Sequence, residues 1–443
     1  MIEAIQDSPG YAPVGSPAEY RAMVARLFGL SRAGMKLGLA PTARLFAGLG
    51  HPERAFRAVH IAGSNGKGST TAFLATVLSM SGRQVGMYTS PHLVSMTERV
   101  QFLRRGRAWP VEQSTMVQAV DRVEAVAPGF EGVSFFEVIT AAGMWVFAEA
   151  QIDIAVIEAG LGARLDSTRL VPAEVSILTD LSLEHTSILG ESIEEIAKEE
   201  GAVVRPGRPL VMADGPSPAM DVVDGMARDV AAPVYRLGRD FAVQRAEDGR
   251  FEFELADRKI GPVQLSLLGA HQSRNAALAA QAAVLTDPNI SDDDIVTGLS
   301  VAFWPGRMEV VRRPQQPPVL LDGAQNAHAA ATLASALKMH QDRFQGPYHF
   351  VFGVMSDKDA RSMIADIAPL AATITFTRPN STRARAPEEL ALLVPPGPSA
   401  RIEPVIENAL SGASAAAAAD GGWVVVCGSL YLIGDVRALL GLD

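Results

Sequence analysis

The segment Ala58-Val-His-Ile-Ala-Gly-Ser-Asn-Gly-Lys-Gly-Ser-Thr70 restricts the fold more than any other stretch of this chain. A short apolar run (Ala58, Val59, Ile61, Ala62) ends in a glycine turn at Gly63 and Gly66. Lys67 and Ser69 then lead into Thr70-Thr71-Ala72-Phe73-Leu74, which reads as the opening of a helix. Strand, glycine loop and helix in that order suit polyphosphate, because bare backbone N–H groups, a helix N-terminus and one ammonium converge on anionic oxygens. The match to the common phosphate-loop pattern is imperfect: Ile61 stands where the first glycine is expected, and Gly68 separates Lys67 from Ser69. A purely structural turn is the competing reading. The strand and helix flanks favour nucleotide binding by Gly63, Ser64, Asn65, Gly66, Lys67, Gly68 and Ser69.

A chain of 443 residues exceeds one ordinary core, so two or three domains are expected. Its 48% hydrophobic and 20% charged residues describe a soluble globular protein. The net charge of −10 argues against a general nucleic-acid or membrane surface. Arg104-Arg105-Gly106-Arg107 offers a local anion site, but a solvated loop is the better reading. The single cysteine, Cys427, excludes an intramolecular disulfide and fits a reducing compartment. It sits in the strand-like Trp423–Gly428 run and reads as a buried structural thiol. No run is long enough for a membrane span, and the acidic N-terminus does not resemble a signal peptide. The expected protein is cytoplasmic and monomeric, with no nucleic-acid or membrane partner.

Strand-like and helix-like segments alternate along most of the length, the mark of parallel sheets covered by helices. Gln84–Thr89, Asp153–Glu158 and Glu174–Thr179 read as strands, and Phe135–Ala150 as a buried helix. Phe251–Leu255 and Val263–Leu268 read as appended antiparallel strands, and Gln272–Leu285 as an Ala-rich helix. Trp304-Pro-Gly-Arg307 and the Pro-rich 312–318 stretch break the pattern, which places a domain boundary there. Beyond it, strand and helix alternation restarts in a smaller α/β unit. Ala413–Ala419 reads as a helix end and loop.

Several predicted strand ends carry groups suited to phosphate and magnesium. Ser90 follows one strand, Glu158 closes another and runs into the glycine-rich turn 160–166, and Glu184-His185 follows a third. Magnesium takes few protein ligands, mostly oxygens, and completes its shell with water and phosphate. Taken singly, Glu158 could be a helix cap or ion-pair partner and His185 a satisfied loop histidine. Their shared position at strand ends, where open α/β sheets bind ligands, favours the functional reading.

With these motifs in order, the chain resembles the folylpolyglutamate synthase/dihydrofolate synthase family of the Mur ligase superfamily, from about Tyr20 to the C-terminus. The matching segments include Leu37-Gly-Leu39, Leu49-Gly-His-Pro52, Gly63–Ser69, Thr89-Ser-Pro-His-Leu93, Glu98-Arg99-Val100 and Phe136–Ala141. Glu158–Asp166, Glu184-His185, Leu189-Gly190, His271-Gln272 with Asn275, Pro305-Gly-Arg307, Asp322-Gly-Ala-Gln-Asn326, Lys358-Asp359 and Gly428-Ser-Leu-Tyr431 complete the set. The resemblance implies an α/β fold. A central domain of Mur-ligase type (1–308) would carry the phosphate loop on a mostly parallel sheet. A smaller Rossmann-like α/β domain (309–443) would follow. It implies that ATP phosphorylates a folate- or pteroate-type carboxylate (dihydropteroate or tetrahydrofolate), and that the amine of L-glutamate attacks the acyl phosphate. Lys67 and neighbouring amides would hold the β/γ-phosphates. Ser90 and Glu158 would bind one magnesium ion, and His185 would help bind a second. Asn275 would contact adenine, Arg307 would reach phosphate from the linker, and Asp322 would complete the cleft. Lys67, Glu158, His185 and Arg307 are the catalytic set implied.

Three departures qualify this reading. Glu200 stands where the family places a carbamylated lysine, so it is either a direct metal carboxylate or a solvent-facing helix residue. Gln325 replaces a family histidine and cannot carry imidazolium charge; His328 is close by, on the expected following helix. Gly162-Ala163 and Thr168-Arg169 are mild loop drift. A ligase for a non-folate acceptor, a catalytically silenced ATP- or pterin-binding homologue and, more weakly, a phosphotransferase stand as alternatives.

Overall fold

The computed structural model describes residues 13, 15–31 and 38–442. Leu37 of the first family-like segment and the acidic N-terminal residues lie outside them.

The strand that opens the glycine segment, Arg57–Ala62, is buried on both faces after its first residue. That is the environment of a central strand in a parallel sheet. It sits inside an eight-stranded sheet whose spatial order is Arg107–Pro110, Val100–Arg104, Val85–Tyr88, Ile154–Glu158, Arg57–Ala62, Val175–Leu178, Leu210–Met212 and Val234–Arg236. All pairs are parallel except the two made by Val100–Arg104. Arg105 and Gly106 form the turn of that hairpin; Arg105 is exposed, as a solvated loop requires.

Side chains alternate across the sheet. Val59, Ile61, Ile154 and Val156 enter the core shared with helices Lys67–Met80, Ala270–Thr286 and Asp292–Val301. Ala58, Ala155 and Ile157 enter the opposite core with helix Phe135–Glu149. The Ala-rich composition of Ala270–Thr286 now has a cause: thirteen of its residues are buried, and small side chains let it lie close on the helix Lys67–Met80. Ser134 caps Phe135–Glu149 in a reciprocal box with Glu137.

A three-stranded antiparallel sheet, Ala242–Arg245, Phe251–Glu254 and Lys259–Val263, follows. Its last strand corrects the expectation of a strand over Val263–Leu268. Gly261 and Pro262 look like breakers in the sequence, yet they are tolerated on this edge strand, where the missing N–H of proline costs no ladder bond.

The remaining strands form a six-stranded sheet in the order Glu309–Val311, Val319–Leu321, Trp423–Cys427, Tyr348–Phe352, Ala371–Phe376, Ser399–Ile402. Its first pair is antiparallel and the rest parallel. Cys427 is buried at its centre, and burial pushes its thiol pKa up, as a structural cysteine requires. Ala413–Ala419 forms the C-terminal half of the helix Ile406–Asp420, so the expected helix end is found there but no loop. The alanines are strong helix formers, and Ala413 and Ala417 pack on the sheet. Among the described residues no helix is long and apolar enough to cross a membrane.

Candidate active site

Parallel strands place their carboxyl ends on one edge of the sheet, so Gly63, Thr89-Ser90, Glu158 and Thr179-Asp180 meet there. At the phosphate loop, Gly66 caps the helix Lys67–Met80 in the left-handed region, at φ 91°, which favours glycine. The loop is anchored by three of its own amides. The N–H groups of Ser64 and Asn65 donate to the Asp180 carbonyl at 3.0 and 3.1 Å. The Gly63 N–H donates to Glu200 Oε2 at 2.9 Å. Those three amides are therefore committed to protein acceptors. Helix geometry leaves the first N–H groups of the helix, at Lys67, Gly68 and Ser69, without intrahelical acceptors, and these are the donors suited to phosphate. The Lys67 ammonium lies against the same loop, donating to Gly63 O at 2.5 Å and Ser64 O at 3.3 Å.

Helix Ala270–Thr286 backs the loop: Gln272 Nε2 donates to Ser69 Oγ at 3.3 Å, and Asn275 Nδ2 donates to Gln272 Oε1 at 3.0 Å. A Cβ built on Gly66 would lie 2.4 Å from Asn275 Oδ1. Asn275 thus abuts the phosphate loop while lining the same cavity.

Ser90 and Glu158 are brought together, with the Ser90 N–H donating to Glu158 Oε2 at 3.0 Å. Glu158 is buried, and burial raises its carboxyl to about 7 against the opposing pull of Lys67, Arg307 and Arg99. A buried carboxylate beside a serine lining the same cavity fits a divalent cation. Magnesium needs only one or two such oxygens from the protein. Among the described residues no three or more His, Cys, Asp or Glu side chains are grouped as a ligand cluster.

His185 lines the cavity at the start of Thr186–Leu189, and burial lowers its imidazole to about 4, against the pull of Glu184. That shift favours the neutral imidazole, the form that can ligate. Glu200 is buried on the helix Ile193–Gly201 rather than facing solvent, and its carboxyl is raised by burial. Lys198, two residues earlier, is exposed.

The second wall comes from the smaller sheet. Arg307, Asp322, Gln325, Asn326 and His328 line a cavity of about 500 Å³ together with Lys67, Glu158 and His185. His328 does lie on the following helix, Ala327–Met339. Asn326 Nδ2 reaches across to Glu184 Oε1 at 3.3 Å. Asp322 spends its carboxylate on the linker and its own loop: Oδ2 accepts from Met308 N–H and Oδ1 from Ala324 N–H, both at 3.0 Å. Its carboxyl is raised by burial, with Arg307 opposing.

The shape and the residues now bear comparison with known proteins. Residues 306–430 match the family described as Mur ligase, glutamate ligase domain. The dihydrofolate synthase/folylpolyglutamate synthase of Bacillus subtilis is 35% identical over 381 residues, 82% of this chain and 86% of that one. The chain belongs to the folylpolyglutamate synthase/dihydrofolate synthase family. This family member is also 36% identical over 436 residues to a probable bifunctional folylpolyglutamate synthase/dihydropteroate synthase of Haloferax volcanii. There the match covers 95% of this chain and spans half the length of the relative. A solved structure of the Escherichia coli protein in complex with DHPP and ADP superposes with a TM-score of 0.85 at 28% identity, covering 96% of this chain and 98% of that one.

Two features of this synthase-family site were not assigned from sequence. Glu98 accepts three successive N–H groups, of Leu93 and Val94 at 2.8 Å and of Ser95 at 2.6 Å, and so fixes the loop that carries Ser90. The Ser95-Met-Thr-Glu98 capping pattern was its available signal. His271 also lines the cavity, and burial lowers it to about 4, with Arg307 adding to the shift. No pattern in the sequence predicts that pressure, because it comes from burial in the folded cleft, with the linker residue Arg307 adding to it.

Proposed function

We propose that this chain is an ATP-dependent amide ligase that adds L-glutamate to a folate- or pteroate-type carboxylate. The observation that carries the reading is one cavity in which Lys67 and the helix N-terminus, the Ser90–Glu158 corner and the linker residue Arg307 all meet. Relatives with folylpolyglutamate and dihydrofolate synthase activity in their names, and an Escherichia coli structure holding DHPP and ADP, support it.

In this reading the N–H groups at Lys67, Gly68 and Ser69 and the Lys67 ammonium hold the β/γ-phosphates, with Arg307 closing from the opposite wall. The substrate carboxylate takes the γ-phosphoryl group and ADP leaves. The glutamate amine then attacks the acyl carbon, and phosphate departs as the amine gives up its proton. Ser90 and Glu158 would hold one magnesium ion, and His185 would help hold a second. Bound magnesium would neutralise phosphate charge that the side chains alone leave uncompensated. Glu200, with one oxygen on Gly63, supports the loop; a metal contact would fall to its other oxygen. We divide the chain into domains 1–308 and 309–443, since no strand of either large sheet crosses that point. Each half supplies part of one anion site, so closing the two around ATP would exclude water from the reacting groups.

The test is phosphate release from ATP and Mg²⁺ with L-glutamate, dihydropteroate and tetrahydrofolate being offered separately, with mass spectrometry of products. A glutamate-sized mass gain that disappears in Lys67→Ala is the expected result. ATP binding without turnover on any carboxylate offered would overturn it.

A further inference from the structure

The linker that carries Arg307 is tied mainly to the smaller sheet. The Gly306 carbonyl accepts from Gly323 N–H at 2.7 Å, and Met308 N–H donates to Asp322 Oδ2 at 3.0 Å. The Gly306 N–H donates to Glu309 Oε2 at 2.8 Å. Glu309, the first residue of the strand Glu309–Val311, is buried. Its other oxygen accepts from Arg437 Nη1, on the last helix, Leu430–Leu439. Arg437 Nη2 donates in turn to the Leu442 carbonyl at 2.6 Å. An exposed ion pair would fix little. This one is buried, both Glu309 oxygens are engaged, and removing either partner strands a charge.

We propose that Arg437 is a positioning residue for Arg307. Through Glu309 it fixes the backbone of Gly306, the residue before Arg307, and so decides where the guanidinium meets a nucleotide phosphate. The proposal rests on the reading of Arg307 as a phosphate contact. It assigns the last helix, whose Arg437 also borders the cavity, a task in nucleotide binding carried through Glu309.

A double-mutant cycle on the full chain tests it. A non-hydrolysable ATP analogue is titrated into Arg307→Ala, Arg437→Met and the double variant, with thermal melts run alongside. Loss of a charge-assisted phosphate contact weakens binding about tenfold or more. Arg437→Met is expected to approach the loss in Arg307→Ala, and the double variant to lose no more than Arg307→Ala alone, because an absent guanidinium cannot be misplaced. Arg437→Lys, which keeps a cation opposite Glu309, should recover most of the affinity. If Arg437→Met does not fold, Glu309→Gln serves in its place, since it keeps an acceptor for Gly306 N–H while removing the charge that holds Arg437. A lower melting temperature with unchanged analogue affinity, or losses that simply add, would overturn the positioning role. An unchanged affinity in Arg307→Ala itself would instead remove the phosphate reading of Arg307, and the proposal with it.

Discussion

Glu200 holds the Gly63 N–H at 2.9 Å, so its carboxylate is fastened directly beneath the phosphate loop. Both groups are buried. Glu200→Ala strands a buried N–H, which costs about 1–3 kcal/mol. Glu200→Gln keeps an acceptor oxygen and should lose much less. Denaturant unfolding of the two variants checks this, and equal losses would show that the hydrogen bond is not what matters at this position.

The extra glycine between Lys67 and Ser69 has a structural cause. A Cβ on Gly68 would stand 2.8 Å from Trp304 Nε1 and 2.9 Å from Cε2 and Cζ2, so the indole lies against the start of the phosphate helix. Gly68→Ala is expected to push the indole aside and cost about 1–3 kcal/mol by overpacking. The shift should change tryptophan emission and weaken ATP binding. Unchanged emission and affinity would mean that the linker accommodates a methyl group here.

Glu158 sets a pH dependence. Its carboxyl, raised by burial from the ordinary 4.5 to about 7, binds a proton more tightly folded than unfolded. Its contribution to stability is therefore full below pH 4.5 and is lost as pH rises to about 7. Glu158→Gln does not titrate, so relative to the native chain it should gain up to about 3 kcal/mol across that window. Thermal melts of both proteins between pH 4.5 and 8, without metal or nucleotide, measure the difference. Parallel curves would contradict the assignment.

The Ser90 loop and the last helix meet at Leu93 and Gly434, where an added Cβ would lie 2.1 Å from the Leu93 carbonyl oxygen. Backbone cannot yield as a flexible side chain can. Gly434→Ala should part the helix from the loop, cost about 1–3 kcal/mol and raise amide exchange over residues 90–98. Unchanged exchange there would show that the two are not coupled.

The strands ending at Ala62 and Glu158 were legible because their apolar runs have the length of buried strands and end in glycine or polar residues. The helix after Lys67 was legible for the same reason, and with it the nucleotide loop. Glu200 was ambiguous in sequence, since a helix residue can face solvent or core and only the packing of Ile193–Gly201 under the loop decides. The edge strand Lys259–Val263 was obscured by Gly261 and Pro262, and the C-terminal half of the helix Ile406–Asp420 by an alanine run that local pattern cannot divide between helix and loop.

By itself, the sequence determined most of the order of strands and helices and the glycine loop between Arg57–Ala62 and Lys67–Met80, because each is written in residues adjacent along the chain. Only the tertiary structure decided that Ser64 and Asn65 give their N–H groups to Asp180, that Trp304 lies against Gly68, and that Arg437 reaches Glu309. Those partners all lie more than about a hundred residues apart along the chain. Their contacts depend on how sheets and helices pack in three dimensions, which no short-range pattern encodes.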